Sequence, residues 1–156
     1  MLKLILKPNT CKECKICCNY SKESLWDIPG FTEKEYKRTI LEFPEMKAIS
    51  YTKNNLYYFT PLKKGTTYLC PFLSDNGCKL GNNKPFKCAI WPLYVVTKEN
   101  EIYIAVSKVC PNIPNITPET FKSLLFSEYQ KIQETVRLFP ELIETNRDFF
   151  KIIIKL

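Results

Sequence analysis

The sequence predicts an α+β fold: a small single domain with a β-hairpin or sheet at its core and two or more flanking helices. Three patterns carry that expectation. Residues 117–139 repeat apolar side chains at helical spacing. Residues 101–107 alternate with a period of two beside another apolar run, as the strands of a hairpin do. The third pattern is compositional: 8 Cys and no His in 156 residues.

The elements follow in chain order. Residues 1–22 begin with a short apolar strand candidate, Met1 to Pro8, and continue into the first cysteine group. Residues 23–46 contain a helix. Thr32 is its N-cap, Glu33 and Glu35 lie in the first turn where the helix dipole favours carboxylates, and Pro44 stands just past its end. Residues 47–113 read as strands and turns. The runs Leu56-Tyr57-Tyr58-Phe59 and Tyr68-Leu69-Cys70-Pro71-Phe72 are strand candidates, and Leu93–Thr97 with Glu101–Ser107 form a hairpin across Lys98-Glu99-Asn100. Thr117 then caps a helix with Pro118 at its first position. Its apolar face is Phe121, Leu124, Leu125, Tyr129, Ile132 and Val136, and Pro140 ends it. The tail from Phe149 to Leu156 is a last strand or a helix turn. With 45% hydrophobic and 25% charged residues the chain is expected to fold, and its length suits one domain over residues 1–156.

The absence of histidine excludes whole classes of chemistry. No Ser-His-Asp or Cys-His nucleophile can be assembled, because the base is missing. Histidine-ligated zinc, blue copper and proximal-histidine haem are excluded for the same reason. A metal held through nitrogen or sulfur must be held by cysteine. The four glycines, Gly30, Gly65, Gly77 and Gly81, form no G-x-G pair and no phosphate loop. Glu33/Glu35 and Glu141/Glu144 read as solvated charges at helix ends, so no catalytic residue is assigned.

Lys and Arg number 23 against 16 Asp and Glu, a formal charge of +7. A basic chain suits an anionic partner, yet no basic run exceeds two residues. Lys12, Lys15, Lys79, Lys87 and Lys108 each lie within two residues of a cysteine and are placed to offset thiolate charge. Met1 to Pro8 lacks the form of a signal peptide, and nothing reaches the roughly 18 apolar residues of a membrane span. The expectation is a cytoplasmic protein without membrane contact, and a reducing cytosol favours metal over disulfides.

The cysteines run Cys11-x2-Cys14-x2-Cys17-Cys18, then Cys70, Cys78, Cys88 and Cys110. Four in eight residues, among Lys12, Glu13, Lys15 and Asn19, do not suit a core stretch. All eight are candidate metal ligands. Zinc sites commonly use two C-x2–4-C arms, and only one is present. Three cysteines at successive spacings of three, plus a remote Cys-Pro, are closer to the ferredoxin manner of holding a [4Fe-4S] cube. Spacing therefore prefers an iron–sulfur cluster, with zinc as the alternative and a disulfide framework as a third reading. The adjacent Cys17 and Cys18 are expected to diverge and not to share one small ion.

Cys11-x2-Cys14-x2-Cys17-Cys18, Cys70-Pro71-Phe72-Leu73, Asn76-Gly77-Cys78-Lys79-Leu80 and Lys84-Pro85-Phe86-Lys87-Cys88-Ala89-Ile90-Trp91-Pro92 together resemble the YkgJ-like cysteine-cluster family, a zinc- or iron-chelating domain with a CxxCxxCC signature. The resemblance spans residues 11–92, and Phe31-Thr32-Glu33-Lys34-Glu35 is similar to the family's capped helix. Lys84-Pro85 and Ala89 depart from the family's Arg-Pro and following Arg, and Lys cannot reproduce arginine's bidentate fork. The resemblance implies a small metal-binding module. A similar signature in flagellin lysine N-methylase implies a second reading, an enzyme or enzyme component of protein lysine methylation. A third is a nucleic-acid-binding module with structural metal, in which Tyr51, Tyr57, Tyr58 and Phe59 would stack on bases near Lys47, Lys53, Lys63 and Lys64. The same aromatics suit a strand packed into a core, which is the preferred reading. A protein partner is compatible with each of these.

Overall fold

The computed structural model describes residues 13–113 and 117–156. These fall into two units, one ending at Cys88 and the other running from Ala89 to the C-terminus. The α+β expectation holds in both. The apolar segment before Pro8 lies outside the described residues.

In the first unit, a 3₁₀ turn at Ile16–Cys18 leads into a two-residue strand, β1 (Asn19–Tyr20), and a second 3₁₀ segment covers Lys22–Asp27. Helix α1 (Glu33–Glu42) starts where its cap predicts. Thr32 and Glu35 form a capping box: the Glu35 N–H donates to Thr32 Oγ1 at 3.4 Å, and the Thr32 N–H donates to Glu35 Oε2 at 2.8 Å. After a 3₁₀ segment at Pro44–Ile49 come two hairpins, β2 (Ser50–Lys53) with β3 (Leu56–Phe59), and β4 (Leu62–Lys64) with β5 (Thr67–Leu69). Strand β1 adds to β5, giving the order β1-β5-β4. A small ribbon, β6 (Leu73–Ser74) with β7 (Gly77–Cys78), and one helical turn, α2 (Phe86–Ile90), carry the later cysteines.

Tyr20, Phe31, Phe59, Cys70, Phe72 and Leu80 form the core of this unit. Its rings meet edge to face: Phe31 and Phe59 at 5.0 Å and 83°, Phe59 and Phe72 at 4.9 Å and 88°. That geometry sets ring edges against ring faces and adds to the burial of the aromatic area. Gly30 lets the backbone pass beside β3, because a Cβ there would stand 2.7 Å from Leu56 Cδ1.

The aromatic run at β2–β3 divides between core and surface. Phe59 is buried, and Tyr57 stacks on Tyr36 at 4.1 Å. Tyr51 is 43% exposed and stacks on Tyr58 at 5.5 Å. Cross-strand register explains the pairing, since Tyr51 stands opposite Tyr58.

In the second unit, β8 (Leu93–Lys98) and β9 (Glu101–Ser107) form the expected hairpin. Its loop is tighter than the sequence suggests, because Lys98 joins the strand and only Glu99 and Asn100 turn. Both have positive φ, 52° and 65°, as a type I′ turn requires. The tail resolves as a strand, β11 (Phe150–Lys155), antiparallel to β9, and β10 (Glu144–Thr145) lies parallel to β8. The order β10-β8-β9-β11 makes β9 an inner strand. Ile104, Ala105, Val106 and Ser107 are accordingly all buried, so the period of two in sequence does not become one wet face. Helix α3 (Pro118–Leu138) buries Leu124, Leu125, Ile132 and Val136 from the predicted stripe, and the Tyr129 hydroxyl donates to the Lys155 carbonyl at 3.2 Å.

Candidate functional site

The cysteines of the first unit are brought together by short backbone elements. Lys15 adopts a left-handed conformation, φ 53°, and starts the 3₁₀ turn that holds Cys17 and Cys18. Strand β1 then pairs with β5, with Asn19 opposite Leu69. One position further along this ladder, the Cys70 N–H donates to the Cys18 carbonyl at 2.9 Å. Cys70 opens a turn, with the Leu73 N–H donating back to its carbonyl, and β6–β7 returns Cys78 opposite Leu73. Cys88 lies within α2.

Four of these thiols, Cys17, Cys18, Cys78 and Cys88, are raised by burial and by their neighbours. Cys17 and Cys18 stand 4.0 Å apart, Sγ to Sγ. Their hydrogen bond and burial push the Cys17 pKa far above the ordinary thiol range. In Cys18 the bond to Cys17 acts downward. A hydrogen bond with Cys70, burial, and the charges of Cys70 and Cys78 outweigh it, and the pKa is pushed up to about 12. Burial raises Cys78, with Cys17 adding to it. Burial also raises Cys88 well above the usual value, with contributions from Cys17, Cys18 and Cys78. Like charges at short range cannot all ionise without a compensating cation, so Cys17, Cys18, Cys78 and Cys88 are held towards the protonated form.

The expected divergence of Cys17 and Cys18 is corrected by their spacing. Both side chains leave one tight 3₁₀ turn, and their sulfurs approach there.

Around the thiols stand groups that the cysteine spacing does not reveal. Tyr20 is buried, and its hydroxyl is raised far above the usual range, first by burial and then by Cys70, Cys88, Cys18 and Asp27. The Lys84 ammonium lowers the pKa of both Cys17 and Cys78, and Lys87 acts in the same sense on Cys88. Lys84 was absent from the counter-charges read near cysteines in sequence, because it is four residues from Cys88. Lys87 is held by Asp27 at 2.8 Å and lies 5.3 Å above the Trp26 ring. Glu35 is not simply a solvated helix-end charge. Its Oε1 accepts the Phe86 N–H at 2.9 Å and fixes the start of the turn that carries Cys88.

Cys11 falls outside the described residues. Cys14 is half-buried beside the turn, and Cys110 is buried in the second unit. None of the described cysteines is in a disulfide. Among the described residues, no three Cys, Asp or Glu side chains stand in ready-made metal-holding geometry. The thiols that influence one another, Cys17, Cys18, Cys78 and Cys88, are soft donors of the kind a thiophilic ion takes, with the Lys84 and Lys87 ammonium groups acting on them. No described helix is long and apolar enough to cross a membrane. Comparison with known proteins finds no matching family model, no curated relative and no matching solved structure.

Proposed function

We propose that this chain is a metal-binding protein of the cysteine-cluster type, with Cys17, Cys18, Cys70, Cys78 and Cys88 as the principal donors, Cys11 and Cys14 beside them in sequence, and a cytoplasmic setting. The carrying observation is the gathering of thiols about one turn: Cys17 and Cys18 stand 4.0 Å apart, the Cys70 N–H donates to the Cys18 carbonyl at 2.9 Å, and burial with neighbouring thiols raises Cys17, Cys18, Cys78 and Cys88. Protonated thiols packed this closely gain most from exchanging their protons for a cation. Metal binding then completes the local structure, and its free energy adds to that of folding.

Two occupants are each favoured by a specific observation. The C-x2-C-x2-C spacing and the remote Cys70-Pro71 favour an iron–sulfur cluster. The Cys17–Cys18 separation favours one tetrahedral ion such as zinc: at a Zn–S bond of about 2.3 Å, neighbouring thiolates of a tetrahedron stand about 3.8 Å apart, against 4.0 Å here. The resident group would supply either a structural crosslink or, as a cluster, electron transfer. Catalysis and nucleic-acid binding rest on no comparable arrangement.

Anaerobic purification with metal analysis and visible spectroscopy separates these. A brown protein absorbing near ~400 nm with iron and sulfide identifies a cluster, and a colourless protein with stoichiometric zinc identifies the ion. Cys18→Ser is expected to reduce metal content about tenfold or more, since it removes a thiol that stands 4.0 Å from Cys17 and whose backbone carbonyl holds Cys70. Full metal content in that variant, or wild-type protein that takes up neither metal after reconstitution, overturns the proposal.

A further inference from the structure

We propose that the metal-free protein closes a disulfide between Cys18 and Cys70, and that this bond withdraws both thiols from the donor set until it is reduced. The inference rests on the metal reading of those thiols for its consequence, and on the β1–β5 ladder for its geometry.

Strands β1 and β5 are antiparallel with Asn19 opposite Leu69 and Tyr20 opposite Tyr68. Extending that register by one position sets Cys18 opposite Cys70, and the Cys70 N–H to Cys18 carbonyl bond of 2.9 Å continues the ladder there. Only this one of the pair's two bonds is made, because the Cys18 N–H donates to the Lys15 carbonyl at 3.0 Å; opposed residues at such a position of an antiparallel ladder have Cα atoms about 5.5 Å apart. That lies within the roughly 4.4–6.8 Å span of natural disulfides. The competing pair, Cys17 and Cys18, is adjacent in sequence, so its bridge would close an eight-membered ring through one peptide bond and strain it away from planarity.

The oxidant is a small-molecule disulfide of the glutathione class. The half-exposed Cys18 loses its proton and its sulfur attacks one sulfur of the small disulfide, releasing one thiolate and leaving a mixed disulfide. The buried Cys70 loses its proton and displaces the second small thiolate. Two cysteine thiols are oxidised by two electrons, one small disulfide is reduced to two thiols, and the two protons pass to the departing thiolates. The product ties the edge strand β1 to the turn at Cys70 and leaves Cys17, Cys78 and Cys88 short of the donors they would use with metal.

The test uses the full chain, stripped with chelator under reductant, desalted anaerobically and exposed to oxidised glutathione. Alkylation and tryptic mass spectrometry then map the bridge. Cys17 shares a tryptic peptide with Cys18, and Cys78 shares one with Cys70. Fragment ions, together with Cys17→Ser and Cys78→Ser variants that keep the proposed pair, therefore place the link. The expected result is a dominant Cys18–Cys70 bridge in wild type and in both variants. Zinc uptake by the oxidised protein is expected to fall about tenfold or more and to return on reduction. A dominant Cys17–Cys18 bridge, or Cys18 and Cys70 both alkylated after oxidation, overturns the switch. Zinc and iron uptake by the reduced protein is measured in parallel: failure there, with the bridge present, sinks the metal reading and leaves the disulfide standing.

Discussion

At the scale of single residues, Phe72 shows how closely core and thiols are joined. It is 1% exposed and touches Phe31, Phe43 and Phe59 through tilted or edge-on rings. It also follows Cys70 by two positions and shares its cluster. Truncation removes the ring from water-free packing and leaves a cavity that its aromatic neighbours fill only in part. Phe72→Ala is expected to cost about 3–5 kcal/mol. Phe126 provides the contrast within the same residue type: at 89% exposure on α3 it has little packing to lose, and Phe126→Ala should change stability by no more than about 0.5 kcal/mol. Denaturant titration of both variants checks the pair. A Phe72→Ala protein with a wild-type midpoint would mean that the aromatic lattice does not hold this unit together.

At the scale of elements, Glu35 joins two segments that sequence order keeps far apart. Its Oε2 accepts both the Thr32 N–H and the Thr32 hydroxyl, and its Oε1 accepts the Phe86 N–H. Removing the carboxylate therefore breaks the capping box of α1 and leaves a partly buried N–H unpaired at the start of α2. Glu35→Ala is expected to destabilise by about 2–3 kcal/mol, taking a lost cap and an unmade hydrogen bond together. Glu35→Gln keeps the acceptor oxygen facing Phe86 and should recover about half of that loss. Equal effects of the two substitutions would show that the Phe86 bond contributes nothing. Half of this device is legible in the sequence: Thr32 with Glu35 three residues on is a local signature, and so are Pro44 beyond the helix and the stripe on α3. The other half joins residues 51 apart and has no local signature. The same division runs through the candidate site. Cysteine spacing marks the candidate thiols, and β1–β5 pairing, which no periodicity over two residues can announce, decides that the Cys70 N–H meets the Cys18 carbonyl. Lys84 reaches Cys17 and Cys78 only through tertiary packing, whereas Lys87 acts on the cysteine next to it in sequence.

At the scale of the whole molecule, the +7 charge and the raised thiols point to a single dependence on pH. A thiol whose folded pKa exceeds its unfolded value stabilises the metal-free fold only while both states keep the proton. For Cys18 the ordinary value is 9.0 and the folded value about 12, so that contribution is complete below pH 9 and is lost as pH rises from there towards 12. Cys17, Cys78 and Cys88 shift in the same direction and reinforce it. The metal-free protein should therefore melt at lower temperature at pH 10 than at pH 7. Metal reverses the sign, because each donor must surrender its proton to bind. Apparent affinity should then rise with pH through the neutral range, on the order of tenfold per pH unit for each thiol deprotonated, and binding should release protons into a weakly buffered solution. Competition against a coloured zinc chelator at pH 6 and pH 8, with an indicator dye to count protons, measures both. Affinity that is flat over that interval, with no proton release, would mean that the metal is held by something other than these thiols. Loading should also remove the alkaline loss of stability, since the loaded fold holds thiolates and no longer keeps protons that the unfolded chain gives up.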